Sequence, residues 1–193
     1  MIDVIYEDNE ILVINKPAGL VVDPSSTVKE ETLADIAQKQ FNINLFRGGI
    51  VHRLDKNTSG IMLVAKTQAV LENLQSQFKD RKIKKEYLAL VHGILTDKGR
   101  VEGNIGRNPG NREKFIVFSG GSLRTKGKEA VTEYEVVKNL QFTGDRLQEI
   151  FADFNKIQMR KLSTIHYNLF TLLKCFPQTG RTHQIRVHLK YIH

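Results

Sequence analysis

Ile50-Val51-His52-Arg53-Leu54-Asp55-Lys56-Asn57-Thr58-Ser59-Gly60-Ile61-Met62-Leu63-Val64-Ala65-Lys66 sets two apolar arms about a polar centre. The centre, Lys56 to Gly60, has turn chemistry: Asn and Ser side chains bond nearby backbone, and Gly tolerates positive φ. The arms read as strands, which predicts a hairpin or a strand–loop–strand unit. In an extended 50–55 segment, Val51, Arg53 and Asp55 share one face, and Ile50, His52 and Leu54 the other. Asp55 falls where strand gives way to turn, with Arg53 and Lys56 beside it. A carboxylate fixed among cations suits a nucleophile or an electrostatic stabiliser. The plainer reading is that Asp55 caps the turn through Thr58 and Ser59.

Outward from this stretch, the chain of 193 residues is long enough for one domain with a real core, and its 40% hydrophobic content is globular. A single cysteine, Cys175, excludes an internal disulfide and suits a reducing, cytoplasmic setting. The first residues, Met1-Ile2-Asp3-Val4, do not read as a signal peptide, and no apolar run approaches the roughly 20 residues of a membrane helix. The formal net charge of +8 favours a polyanionic partner, nucleic acid ahead of an anionic membrane.

Two apolar runs, 2–6 and 11–15, joined by Glu7-Asp8-Asn9-Glu10, predict a β-hairpin. Lys16-Pro17-Ala18-Gly19 turns the chain, and Leu20-Val21-Val22 resumes extension. Helices are expected over 32–41, capped by Thr32, and over 67–81, with Val70, Leu71, Leu74 and Phe78 as the buried stripe. The basic run Arg81 to Lys85 leads into a strand on which Lys85, Tyr87, Ala89 and Val91 share a face. Residues 99–128, rich in Gly, Lys and Arg, read as short strands and mobile loops. With the run before them, they place Lys84, Lys85 and Arg107 as phosphate contacts. A strand is expected over 130–137, and in 141–167 Leu147, Ile150, Phe151 and Phe154 are spaced for a helix; beside the family that the motifs below resemble, this segment looks like an insertion. A last strand, 168–176, is followed by a helix opened near Arg181, with Ile185, Leu189 and Ile192 inward. His183 and His188 are five apart, which does not put two metal ligands on one helix face, so no metal is expected.

Three segments carry a resemblance. His52-Arg53-Leu54-Asp55-x-x-Thr58-Ser59-Gly60 with Ala65-Lys66 resembles the catalytic motif of the RluA family of RNA pseudouridine synthases. Lys85-x-Tyr87-x-Ala89-x-Val91-x-Gly93 resembles that family's second motif, and Thr179-Gly180-Arg181-Thr182-His183-Gln184-Ile185-Arg186-Val187-His188-Leu189 its third. Asn15-Lys16-Pro17-Ala18-Gly19-Leu20-Val21-Val22 is also similar to a family segment, but Asp23 stands where the family usually has His.

The resemblance implies an α+β pseudouridine synthase fold: a twisted, largely antiparallel mixed sheet flanked by helices around a central RNA-binding cleft. It implies Asp55 as nucleophile, Tyr87 against the target base as general base at C5, and Arg181 paired with Asp55. His52, Arg53 and Lys56 join Lys84, Lys85 and Arg107 as expected RNA contacts. No cofactor is implied. The expected partner is RNA, large-subunit ribosomal RNA first and transfer RNA second, bound by a monomer. The chain resembles an RluD-like catalytic domain, 1–193, without an S4 domain and short at its C-terminus. Two other readings stay open: an RNA-binding module without activity, and a nucleic-acid glycosidase. The glycosidase reading calls for two carboxylates, and no second acid adjoins Asp55.

Overall fold

The structure, a computed structural model, describes residues 2–24, 29–119, 127–141 and 169–192. They fall into two compact units, Met1–Ile83 and Lys84–His193. Every strand pairing is antiparallel, in a three-stranded and a five-stranded sheet. The expected parallel component of a mixed sheet does not occur among the described residues. No described helix is long and apolar enough to cross a membrane.

In the first unit, β1 (Asp3–Glu7), β2 (Ile11–Lys16) and β3 (Gly60–Ala65) lie in that order. Asp8 closes the expected hairpin: its Oδ1 accepts from the backbone N–H groups of Glu10 and Ile11, each at 2.8 Å. Alternation along β2 buries Leu12, Ile14 and Lys16, and Met62 and Val64 of β3 are buried with them. Helix α1 (Leu33–Phe41) starts with a capping box: Asp35 N–H donates to Thr32 Oγ1, and Thr32 N–H donates to the Asp35 carboxylate at 2.8 Å. Residues 20–22, where the chain is expected to resume extension, join no strand. The Val21 and Val22 carbonyls instead accept from Leu33 and Ala34 N–H, first-turn donors of α1 that no helical carbonyl serves. Helix α2 (Gln68–Lys79), capped by Thr67, packs on β3.

The first arm of the organising stretch departs from expectation. Only Ile50 pairs with β3, opposite Val64, and residues 51–55 form no ladder. The physical reason is at Leu63, whose N–H donates to His52 Nε2 at 3.1 Å, so an imidazole takes the place of a backbone carbonyl. A 3-10 turn (Phe46–Gly49) leads into this arm. Gly49 there has φ +75°, and a Cβ would lie 2.0 Å from the Ala65 carbonyl oxygen, so only glycine lets this turn sit against the end of β3.

The second unit holds β4 (Tyr87–His92), β5 (Gly99–Asn108), β6 (Asn111–Phe118), β7 (Lys128–Gln141) and β8 (Leu169–Pro177), in the order β4-β8-β7-β5-β6. Instead of short strands and loops, β5 and β6 form one long hairpin. The turn between them is held by Asn108, whose Oδ1 accepts from Gly110 N–H at 2.9 Å. Helix α3 (Gln184–Tyr191) lies on this sheet. Val187 packs with Ile105, Ala130, Phe115 and Val117, and Leu189 with Leu173, Cys175, Tyr87 and Tyr134. The helix begins three residues after Arg181, because His183 takes the left-handed conformation at the N-cap. Its buried face is Gln184, Val187, His188 and Leu189; Ile185 is half-buried, and Ile192, expected inward, is the exposed C-cap. Beyond Gln141, the segment read as an insertion lies outside the described residues.

Candidate active site

Asp55 is half-buried at the start of a turn with Lys56 and Asn57 at its centre, closed by Thr58 N–H donating to the Asp55 carbonyl at 3.0 Å. What holds this turn in place is Lys16. Its side chain has 0% exposure, and Nζ donates to the carbonyls of Pro17 (2.8 Å), Leu20 (2.9 Å) and Lys56 (3.1 Å), using all three N–H bonds of the ammonium. The Lys56 carbonyl also accepts from Gly19 N–H at 2.8 Å. The Lys16-to-Leu20 turn and the motif turn are thereby tied through one buried cation. Burial pulls the Lys16 ammonium below the usual lysine range, and the Asp55 carboxylate opposes that shift. A buried charge is costly unless compensated, and here three carbonyls accept from the ammonium while the Asp55 charge favours it. Sequence reading treated Lys16 as part of a turn. The missed signal is parity, since Leu12, Ile14 and Lys16 alternate on the core face of β2.

The neighbours of Asp55 divide by role. His52 stacks on Phe78 of α2, with centroids 4.6 Å apart and rings 23° from parallel, while its Nε2 accepts from Leu63. These contacts give it a fold-holding role alongside the RNA contact expected of it. Arg53 is exposed, its Nη1 3.7 Å from Asp23 Oδ2. Arg47 donates from Nε to Asp23 Oδ1 at 2.8 Å and from Nη2 to Asp23 Oδ2. Lys56 reaches Glu30 at 3.1 Å on the surface.

In the second unit, Tyr87 stands opposite Cys175 of β8, half-buried against the cluster that holds Leu189 of α3. Segments of the second and third motifs meet there, and also where Lys85 Nζ donates to the Thr179 carbonyl at 3.1 Å. Arg181 Nε donates to the Glu129 carbonyl at 2.8 Å, and Arg181 N–H to Gln184 Oε1 at 2.9 Å. Gln184 is the hub of a buried polar chain. Its Oε1 also accepts from Thr179 Oγ1 (2.7 Å), and its Nε2 donates to Val131 O (2.9 Å) and Thr132 Oγ1 (3.0 Å). Thr132 Oγ1 lies 2.9 Å from His188 Nδ1. Sequence reading assigned none of these polar residues. A Gln and a His at i and i+4 on the inward stripe of α3 were the available cue.

Lys84 is exposed ahead of β4. Arg107 is also exposed, its guanidinium 5.1 Å from the Phe115 ring centroid and its Nη1 donating to the Arg112 carbonyl at 2.6 Å. Asp55 thus belongs to the first unit, and Tyr87, Lys85 and Arg181 to the second. No group of three or more His, Cys, Asp or Glu able to hold a metal occurs among the described residues.

His188 makes a pH prediction. It is fully buried, burial pulls its pKa from 6.5 to about 4, and Nε2 has no hydrogen-bond partner among the described residues. The unfolded chain takes up a proton at this imidazole below pH 6.5, whereas the folded chain resists until about pH 4. The unfolded state binds more protons in that window. Stability is therefore full above pH 6.5 and falls, by about 3 kcal/mol, as pH drops to 4. Urea unfolding of the unsubstituted chain and of His188→Asn at both pH values measures this. A loss as steep in the variant would contradict the assignment to His188.

Residues 10–191 match the family described as RNA pseudouridylate synthase, and the chain belongs to that family. Over 197 aligned residues it is 36% identical to the uncharacterized RNA pseudouridine synthase YlyB of Bacillus subtilis, covering 99% of this chain and 54% of that protein. It is 37% identical over 191 residues to ribosomal large subunit pseudouridine synthase D of Neisseria meningitidis serogroup B, covering 98% of this chain and 42% of the relative. The chain thus spans about half the length of these curated relatives. Among solved structures, human RNA pseudouridylate synthase domain containing 1 superposes with a TM-score of 0.73 at 24% identity, covering 100% of this chain and 65% of that one. That likeness bears on the fold.

Proposed function

We propose that this chain isomerises uridine to pseudouridine in RNA, with large-subunit ribosomal RNA as first substrate, transfer RNA as second, and a monomer as the acting form. The observation that carries the reading is the seat of Asp55: a half-buried carboxylate on a turn fixed over a buried lysine, within a family match running from residue 10 to 191. The names of the relatives, which include ribosomal large subunit pseudouridine synthase D, support the choice of RNA.

The chemistry follows from these residues. The target uridine must leave its stack, at a cost of a few kcal/mol. Asp55 then acts at the sugar, either by attacking C1′ or by removing a proton to form a glycal. Both routes break the C1′–N1 bond and leave the uracil held as an anion. The base turns and C5 bonds to C1′; in the first route the C1′–Asp55 bond breaks, and in the second Asp55 returns its proton to C2′. The C5 proton then leaves with the help of Tyr87, whose hydroxyl passes its own proton to water, and N1 takes one up from water. Tyr87, half-buried against apolar side chains, suits packing on the base. Exposed Arg53, Lys56, Lys84 and Arg107 serve the phosphates, as does Lys85. No cofactor enters. In total RNA from cells with and without the gene, the reading predicts loss of pseudouridine at one or a few large-subunit positions; an identical map would overturn it.

Arg181 has a positional role in this proposal, as the resemblance of its segment to the family's third motif implies. The guanidinium is a rigid planar fork, anchored here by Nε on the Glu129 carbonyl. Lysine keeps the charge but has one nitrogen on a flexible stem, so Arg181→Lys loses the anchor or the fork. Misplacement of about 1 Å costs roughly a hundredfold in rate. Single-turnover measurement at saturating protein tests this, and an unchanged rate would remove Arg181 from the mechanism.

A further inference from the structure

Asp23, just after the Asn15-to-Val22 segment, is engaged by two arginines. Arg47 meets it with both Nε and Nη2, the fork arrangement by which a guanidinium also holds a phosphate. Arg53 approaches at 3.7 Å, too far for a hydrogen bond, with its side chain 67% exposed against 17% for Asp23. Arg47 is 39% exposed and takes a left-handed backbone, φ 54°, a conformation that disfavours a residue with a Cβ. Both arginines also line a recess of about 210 Å³, together with Ile50, Val51, His52 and Gln75. The recess therefore has two cations in its wall, two residues from Asp55 in sequence on the Arg53 side.

We propose that Asp23 stands in for an RNA phosphate: it occupies Arg47 and Arg53 in the free protein and gives them up to a backbone phosphate when RNA binds. The idea rests on the RNA-modifying reading and deepens it by naming a residue that sets how readily RNA is held. Both guanidinium groups are open to solvent, Arg47 at 39% and Arg53 at 67%, so a phosphate can reach them and take the place of the carboxylate. The carboxylate competes with every phosphate that approaches the recess. RNA making few other contacts is held least, which restrains binding by a chain whose net charge is +8.

The test is fluorescence anisotropy of a labelled single-stranded RNA of mixed sequence, titrated with the full chain across a salt series. Asp23→Asn is expected to bind about threefold or more tighter at low salt, with a log–log salt slope steeper by about 0.7 for each phosphate gained. Asp23→His tests the same point should the amide weaken the fold, and Asp23→Glu, which keeps the carboxylate, should bind like the unsubstituted chain. In an Arg47→Gln, Arg53→Gln background, Asp23→Asn should bring no gain. Unchanged or weaker binding by Asp23→Asn and Asp23→His would overturn the proposal, as would a gain that persists without the two arginines. Product formation is scored separately. RNA binding by the unsubstituted chain without any pseudouridine would refute the enzymatic reading while leaving the exchange intact.

Discussion

Asp55→Asn is expected to fold and to bind RNA like the unsubstituted chain, while pseudouridine formation falls on the order of 10^4-fold or more. The amide is nearly isosteric. The bond that closes the turn runs from Thr58 N–H to the backbone carbonyl of residue 55, which the substitution leaves in place. A turn-capping side chain is served by asparagine as well as by aspartate. A nucleophile or base is not, because an amide neither attacks C1′ nor takes a proton. The substitution therefore separates the two readings of Asp55. Release of tritium from RNA labelled at uridine C5 follows the chemistry, and urea unfolding follows the fold. Release at the normal rate would retire Asp55 from the reaction.

Lys16→Met should do the reverse, striking the fold first, with a loss of about 1–3 kcal/mol. Methionine fills similar space but has no donor. The carbonyls of Pro17 and Leu20 lose the ammonium that serves them, while Lys56 O keeps Gly19 N–H. An acceptor left unpaired costs up to about 1–3 kcal/mol when buried; Leu20 is half-buried and Pro17 exposed, so water can serve part of the loss. The two turns that Lys16 joins also separate, and with them the seat of Asp55. A domain has only about 5–15 kcal/mol in hand, so the loss is a large fraction of the whole. Urea unfolding at pH 7 measures it. A change under about 1 kcal/mol would mean that the backbone bonds alone hold the motif turn.

Where local chemistry decided the structure, it was legible. The β1–β2 hairpin, the Thr32 cap, and the face of β4 that carries Tyr87, Ala89 and Val91 all follow from period and capping residues. Illegible features depended on partners distant in sequence. The arm at 51–55 loses its ladder because one His52 ring substitutes for a carbonyl, which no periodicity signals. The β5–β6 hairpin hides behind glycine and charge because the first half of β6 is exposed on both faces, Asn111 to Lys114, while its apolar residues cluster at Phe115 to Phe118. His183 delays α3 by adopting a conformation that its residue type rarely takes.

The candidate site was legible to the same degree. Motif residues on turns and strands, Asp55 and Tyr87 among them, stood out. Buried polar residues that support them did not, because Lys16, Gln184 and His188 reveal themselves only through the carbonyls and hydroxyls they reach.

The most direct measurement is nucleoside analysis of large-subunit ribosomal RNA, made without the modification and then incubated with the purified chain. The account predicts a nucleoside with the mass of uridine whose glycosidic bond now ends at C5, at a defined position, with no free uracil. Free uracil would make the chain a glycosidase, and bound but unaltered RNA would make it a binding module; either result contradicts the account.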